Sequence, residues 1–270
     1  MTKIGFIGCG NMASAMIAGM LARNACSPDD IMVSARTQAS RERAHDAFGV
    51  EAVADNAAVA LHCDAVFLAV KPPMYQAVLA EVSRAFEDDG AVEPPLLISL
   101  APGKTLEWLS GNSCFTRIVR IMPNTPAAVG EGMTSITANS ACLPGDIALV
   151  ERLAGSFGRF SHVPERLIDA VIPVSGSSPA FVYMFIEAMA DAAVLEGMPR
   201  AQAYEFAAQA VLGSAKMVLE SGKHPGELKD AVCSPGGTTI AGVRALERCG
   251  MRSAVIEALW ATADKARSMA

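Results

Sequence analysis

No Cys-x-x-Cys pair occurs in this sequence, and its seven cysteines, at 9, 26, 63, 114, 142, 233 and 249, are an odd number. That pattern excludes a disulfide-stapled scaffold and a cysteine-based zinc site, and it fits a reducing cytoplasm. Basic residues are in deficit: 22 Lys and Arg stand against 28 Asp and Glu, a formal net charge of −6. The deficit is spread over the chain, with 12 basic against 16 acidic residues in 1–164 and 10 against 12 in 165–270. With no basic patch, neither nucleic acid nor an anionic membrane is an expected partner. Apolar runs such as 65–70 fall far short of the roughly 20 residues that span a bilayer, so no membrane span is expected. Met1-Thr2-Lys3 leads straight into Ile-Gly-Phe-Ile-Gly, which is not a secretory signal. The acidic residues have no paired arrangement suited to a metal ion, and none is expected. Histidines number only four, and none is expected to be catalytic.

Apolar residues are plentiful. They make up 51% of 270 residues, and Ala alone occurs 48 times. That is core enough for one large domain or two modest ones, with helix favoured over an all-β fold. Apolar, β-branched runs at 3–8, 31–35, 65–70, 96–100, 117–122 and 133–138 predict strands. Helical stretches at 11–23, 38–48, 74–86 and 144–157 lie between them. Several strands are apolar on consecutive residues, as strands covered on both faces are. The alternation predicts an α/β fold with a Rossmann-type doubly wound parallel sheet in 1–164.

In 165–270 the strands stop, and an all-helical region is expected. Residues 179–196 read as one helix, capped by Ser177 or Ser178, with Pro179 in its first turn and Gly197 ending it. It is apolar on nearly every face and must be buried on most sides. So few surrounding residues rarely do that alone, which points to a partner subunit. A second helix is expected at 200–221, ended by Gly222, and shorter ones near 226–232, 239–248 and 251–267.

The first strand runs into Gly8-Cys9-Gly10-Asn11-Met12-Ala13, a G-x-G-x-x-A turn between strand and helix. Gly8 permits the tight turn, Gly10 lets backbone approach a pyrophosphate, and Ala13 lets the helix pack closely. The helix start at Asn11 and Met12 presents free N–H groups to phosphate. An NAD site usually places an acid at the end of the second strand. Here that strand ends Ser34-Ala35-Arg36-Thr37, so Arg36, with Ser34 and Thr37 as hydroxyl donors, is expected on a 2′-phosphate. NADPH is therefore favoured over NADH, which stays possible. The next long strand ends at Val70-Lys71-Pro72, on the edge where ligands bind.

Two further segments are hard to explain as packing. Met122-Pro123-Asn124-Thr125-Pro126 is a proline-stiffened loop at a strand's carboxyl end, placed to position a nicotinamide ring. Ser234-Pro235-Gly236-Gly237-Thr238-Thr239 opens a helix with free N–H groups and hydroxyls, an anion site suited to a small carboxylate. Cys9 and Cys233 flank the two glycine-rich loops and read as small packing residues. His224 beside Pro225 reads as a turn-former.

These motifs, with Ser175-Gly-Ser-Ser-Pro-Ala180 and His224-Pro225, occur in the order in which the pyrroline-5-carboxylate reductases carry them, over nearly the whole chain. The sequence resembles that family. The resemblance implies a Rossmann domain followed by a helical domain that interlocks with a second subunit's. It places the active site at the dimer interface and often a decamer beyond it. It implies reduction of the cyclic imine 1-pyrroline-5-carboxylate to L-proline by NAD(P)H. By motif, Ser234, Gly236, Gly237, Thr238 and Thr239 would bind the substrate carboxylate, with Thr239 also beside the ring nitrogen as the catalytic residue. Asn56, Lys71 and Pro72 would contact cofactor, and Met122, Pro123 and Asn124 would lie beside the nicotinamide. Three departures bear on substrate preference and rate: Ser178 where the family usually has Gly, Ala210 where it has Thr, and Ala101-Pro102-Gly103 in place of a common Ala-Gly. A reductase for the six-membered imine, an enzyme that oxidises a short hydroxy acid, and a nucleotide-binding regulatory or assembly protein are the competing readings.

Overall fold

A computed structural model describes residues 2–90 and 93–268. From its start the chain alternates strand and helix. β1 (Ile4–Ile7) leads to α1 (Asn11–Ala22), β2 (Ile31–Ser34) to α2 (Gln38–Phe48), and β3 (Glu51–Val53) to α3 (Asn56–His62). β4 (Ala65–Leu68) leads to α4 (Tyr75–Asp89), and β5 (Leu96–Ser99) to α5 (Leu106–Gly111). β6 (Ile118–Met122) passes through a 3-10 turn, Thr125–Val129, to β7 (Gly132–Ala138), followed by α6 (Pro144–Gly155) and β8 (Gly158–His162). The strands form one sheet in the order β3-β2-β1-β4-β5-β6-β7-β8. The order runs outward from β1 in both directions, so the chain switches direction between β1 and β4, where this architecture opens its ligand crevice.

Pairing is parallel except between β6 and β7. The connection 123–131 is shorter than the dozen or so residues a parallel crossover needs, so β7 returns antiparallel. β4 explains the consecutive apolar pattern. Its Ala65 and Phe67 belong to a core on one face, with Phe6, Ile17, Met20 and Phe157. Its Val66 and Leu68 belong to a second core on the other, with Ile7, Leu79, Leu97 and Phe115. Phe6 and Phe67, in register on β1 and β4, stack with ring centroids 4.5 Å apart.

The six expected strands form. Two more, β3 and β8, are edge strands that are largely exposed and so lack the apolar runs of the interior ones. Two short helices also escaped the sequence reading. α3 is capped by Asp55, which accepts from Ala57 N at 2.9 Å, and α5 by Thr105, which accepts from Trp108 N at 3.0 Å.

Beyond β8 the chain is helical. A 3-10 turn (Glu165–Leu167), α7 (Ile168–Val171), a π-helical stretch (Ile172–Ser177) and α8 (Ser178–Leu195) make one run. The expected start at Pro179 is corrected, since Pro179 lies inside the run. Having no N–H, Pro179 leaves the Ser175 carbonyl without its usual i+4 donor. The Asn124 side chain supplies one instead, at 3.1 Å. The widened π turn is where this substitution occurs. α9 (Arg200–Ser221), ended by Gly222 at φ +64°, α10 (Pro225–Ala231), α11 (Thr238–Arg248) and α12 (Met251–Arg267) follow. By packing, residues up to Ser177 group with the sheet, together with the chain's end from Ala263, and Ser178–Thr262 form a second unit. The sequence reading had divided the chain at 164/165, and the stretch 165–177 therefore groups with the sheet.

α8 is apolar yet mostly exposed in the single chain. Met184 is 67% exposed, and Ala190 is the buried residue of the helix. By length and composition the run 165–195 could cross a bilayer, which corrects the expectation of no such segment. Asp169, the polar stretch 175–178, Glu187 and Asp191 divide it, so it contains no long uninterrupted apolar run.

Arg120, buried on β6, forms an ion pair with Glu165, whose Oε1 also accepts from Leu106 N at 2.7 Å. One carboxylate thus ties the sheet to the start of α5 and to the start of the long helical run. Glu165→Ala is expected to cost about 3 kcal/mol by stranding a buried guanidinium. Thermal denaturation should show a Tm several degrees lower, and Arg120→Met combined with Glu165→Leu should recover most of the loss.

Candidate active site

The β1–α1 turn is built by two glycines with different reasons to be glycine. Gly8 lies at φ +97°, its N–H donates to Ser34 O at 3.0 Å, and a Cβ there would come within 2.9 Å of Val70 Cγ1. Backbone conformation and space both exclude a side chain. Gly10 is the extended N-cap of α1, and a Cβ there would meet nothing within 4 Å. The space over Gly10 is open, no side chain caps the helix, and its first turn carries no acid. The N–H groups of Asn11 and Met12 at this helix start suit the pyrophosphate of a dinucleotide. Buried Ala13 seats the helix on the sheet. Cys9 is no thiolate, because burial pushes its thiol up.

At the end of β2 the structure rearranges the expected roles. Ser34 is fully buried, and its hydroxyl donates to Asn56 Oδ1 at 2.7 Å. Asn56 Nδ2 in turn donates to Glu81 Oε2 on α4 at 3.0 Å. Thr37 caps α2, accepting from Ser40 N at 3.2 Å. Arg36 is exposed and forms no salt bridge among the described residues. The Arg41 guanidinium donates to Ala35 O at 2.8 Å and Arg36 O at 3.3 Å, bracing the loop. Sequence reasoning missed Arg41 and Glu81. The one signal for Arg41 was a cation in the opening turns of a helix whose first turn lacks acids. Glu81 had none, being distant in sequence and exposed.

At the end of β4, Val70 packs over Gly8, and exposed Lys71 leads into a 3-10 turn, Pro72–Met74. Tyr75, also missed, is buried behind them. Its hydroxyl donates to Leu68 O at 2.6 Å and accepts from Leu100 N at 3.2 Å, holding the ends of β4 and β5 together. Burial pushes that phenol up to about 12. At the end of β6, Asn124 is buried, with Oδ1 accepting from Met133 N at 2.8 Å and Nδ2 donating to Ser175 O. Its amide braces the loop, leaving half-exposed Met122 and the backbone around buried Pro123 to form its surface.

In the second unit, Ser234–Gly237 form a turn closed by Gly237 N donating to Ser234 O at 3.0 Å. Pro235 precedes Gly236 at φ +69°, the pattern of a type II turn. Gly237 caps α11 in extended conformation, and a Cβ there would lie 2.4 Å from Ser234 Oγ. The Ser234 hydroxyl therefore sits over the helix start, beside exposed Thr238 and Thr239, with no acid in the first turn. An uncapped helix start with hydroxyl-bearing residues on the same loop suits a small anion. A cleft lined by Ala210, Ser214, Met217, Leu228 and Val232 opens nearby in the same unit. His224 Nδ1 accepts from Gly226 N at 3.0 Å and caps α10. Among the described residues no cluster of three His, Cys, Asp or Glu could hold a metal ion.

The two turn glycines separate fold from ligand. Gly8→Ala is expected to destabilise the protein by about 1–2 kcal/mol, seen as a lower Tm. Gly10→Ala should leave Tm unchanged while weakening dinucleotide binding at least tenfold by titration.

Residues 165–269 match a family model described as pyrroline-5-carboxylate reductase dimerisation, and residues 3–102 match one described as NADP oxidoreductase, coenzyme F420-dependent. The pyrroline-5-carboxylate reductase of Escherichia coli (strain K12) is 50% identical over 268 residues, 99% of this chain and 98% of its own. A solved pyrroline-5-carboxylate reductase from Coxiella burnetii aligns with a TM-score of 0.89 at 34% identity, covering 100% of this chain and 98% of that one. The Plasmodium falciparum pyrroline carboxylate reductase with NADP bound aligns with a TM-score of 0.87 at 30% identity, covering 99% and 98%. With a relative this similar along its whole length, the chain belongs to the pyrroline-5-carboxylate reductase family.

Proposed function

We propose that the protein reduces 1-pyrroline-5-carboxylate to L-proline, the last step of proline synthesis, preferring NADPH and also accepting NADH. The observation that carries the reading is the 234–239 cradle, an uncapped helix start ringed by hydroxyls, in a chain that also holds a dinucleotide-type β1–α1 turn. The named relatives support it.

Bound nicotinamide supplies the hydride. Every other requirement falls to the chain. The substrate carboxylate is held by the N–H groups of the first turn of α11 and by the Ser234 and Thr238 hydroxyls. The Thr239 hydroxyl orients the ring nitrogen. The imine carbon gains a hydride and the nitrogen a proton, which comes from water or is already present on the substrate. Alignment, rather than side-chain acid–base chemistry, carries the rate. Met122 and Pro123 shape the nicotinamide side, and Lys71 and Pro72 the adjoining loop. Arg36 meets the 2′-phosphate, and the NADP-bound relative supports that preference.

Residues 165–270 serve as the dimerisation and substrate region. A partner subunit rather than lipid covers the apolar side chains of α8, in keeping with the dimerisation family match. Dimers assembling to a decamer, and a cytoplasmic location, complete the reading. The seven cysteines, all free, suit that compartment. A second reading, a preference for the six-membered imine, draws on Ser178 and Ala210, which stand where the family usually has Gly and Thr.

Loss of nicotinamide absorbance, followed with both imines and both cofactors, tests these points together. Fast turnover is expected with the five-membered ring, and its absence would overturn the assignment. Thr239→Val should cut kcat by two orders of magnitude or more while sparing NADPH binding. Arg36→Ala should raise the KM for NADPH about tenfold, as loss of a charge-assisted contact does, and leave that for NADH nearly unchanged.

A further inference from the structure

The acid that is missing from the end of β2 is supplied by α4. Ser34 is the last residue of β2, and its hydroxyl reaches Asn56 Oδ1 at 2.7 Å. That donation fixes the amide so that Nδ2 faces away from Ser34 and toward Glu81 Oε2, at 3.0 Å. The end of β2 is where this architecture receives the adenosine ribose and whatever its 2′-oxygen carries. A carboxylate therefore stands one side chain from that spot. It belongs to a residue distant in sequence, and no Lys, Arg or His among the described residues forms a salt bridge with it. The loop after β2 thus carries exposed Arg36, while Glu81 of α4 is linked to the end of β2 through Asn56.

We propose that Glu81 is a specificity-determining and positioning residue for the cofactor: its charge opposes a 2′-phosphate and so keeps NADH usable, while its oxygen fixes the orientation of the Asn56 amide at the end of β2. The proposal rests on the nicotinamide-dinucleotide reading of this site. Its two parts make different demands. Orientation needs only an acceptor, which an amide oxygen also provides. Discrimination needs the negative charge.

The test is a titration of the intact protein with adenosine 2′,5′-bisphosphate and with AMP, together with kcat/KM for NADPH and NADH, in wild type, Glu81→Gln and Glu81→Lys. Glu81→Gln is expected to raise the NADPH:NADH ratio of kcat/KM, and the bisphosphate:AMP affinity ratio, by roughly threefold to tenfold, the scale of one charge near a partly hydrated phosphate. Glu81→Lys should raise both further. The gains should shrink at high ionic strength. Tm should not move, because the side chain is exposed. Ratios unchanged in both variants would overturn the proposal, as would an equal loss of both cofactors in Glu81→Gln, which would leave Glu81 a brace for Asn56 alone. Failure of the wild type to bind either adenosine probe would instead overturn the cofactor reading itself, and the proposal with it.

Discussion

The close approach of Gly8 to Val70 is the constraint on which the nucleotide side of this molecule depends. β1 and β4 lie side by side in parallel, and both chains leave the sheet at the same edge. A Cβ on Gly8 would overlap Val70 Cγ1, so the two exits can sit together only because position 8 has none. Phe6 and Phe67 stack two register positions below. Tyr75 then holds the next strand's end through Leu68 O and Leu100 N. Packing joins β1 to β4, and the Tyr75 hydroxyl joins β4 to β5 through backbone atoms at their ends.

The proline–asparagine arrangement after β6, at the same carboxyl edge of the sheet, works by a similar economy. Pro179 removes a donor from the long helix, and Ser175 O is left to find another. Asn124 provides it and also fixes the loop after β6 through Met133 N. A residue read from sequence as a ligand contact is thus a brace that links a loop to a helix. Pro123 and Asn124 together hold the loop in one shape.

What the sequence disclosed and what it concealed divide along a physical line. Interior strands, capped helix ends and glycine turns leave local signals, and the six interior strands, α9 and α12 were legible for that reason. Edge strands β3 and β8 lack a two-sided apolar run, and so they were not. The glycine and threonine loops announce themselves through composition, so Gly8, Gly10 and 234–239 stood out as sites. The reassignment of Ser34 to Asn56, and the arrival of Glu81 and Arg41 at the same loop, depend on contacts between distant segments that no local pattern encodes. The 165–195 run was read too short because Pro179 ordinarily marks a first turn, whereas here a side chain from another element compensates for it.

The helix starts show where anions belong. α2, α3, α5 and α10 engage their first-turn N–H groups with Thr37, Asp55, Thr105 and His224. α1 and α11 are capped by glycines, Gly10 and Gly237, which offer no side chain, and neither first turn contains an acid. α4 and α9 also start without a side-chain cap, while glycine at the starts of α1 and α11 gives up roughly a few tenths of a kcal/mol of capping stability at each. An anion recovers it when bound, since the unpaired N–H groups and the helix dipole act on the same charge. One open start carries a turn suited to pyrophosphate. The other carries hydroxyls suited to a carboxylate. Both are termini of the kind an anionic group favours, and the proposed function assigns one to the cofactor and the other to the substrate.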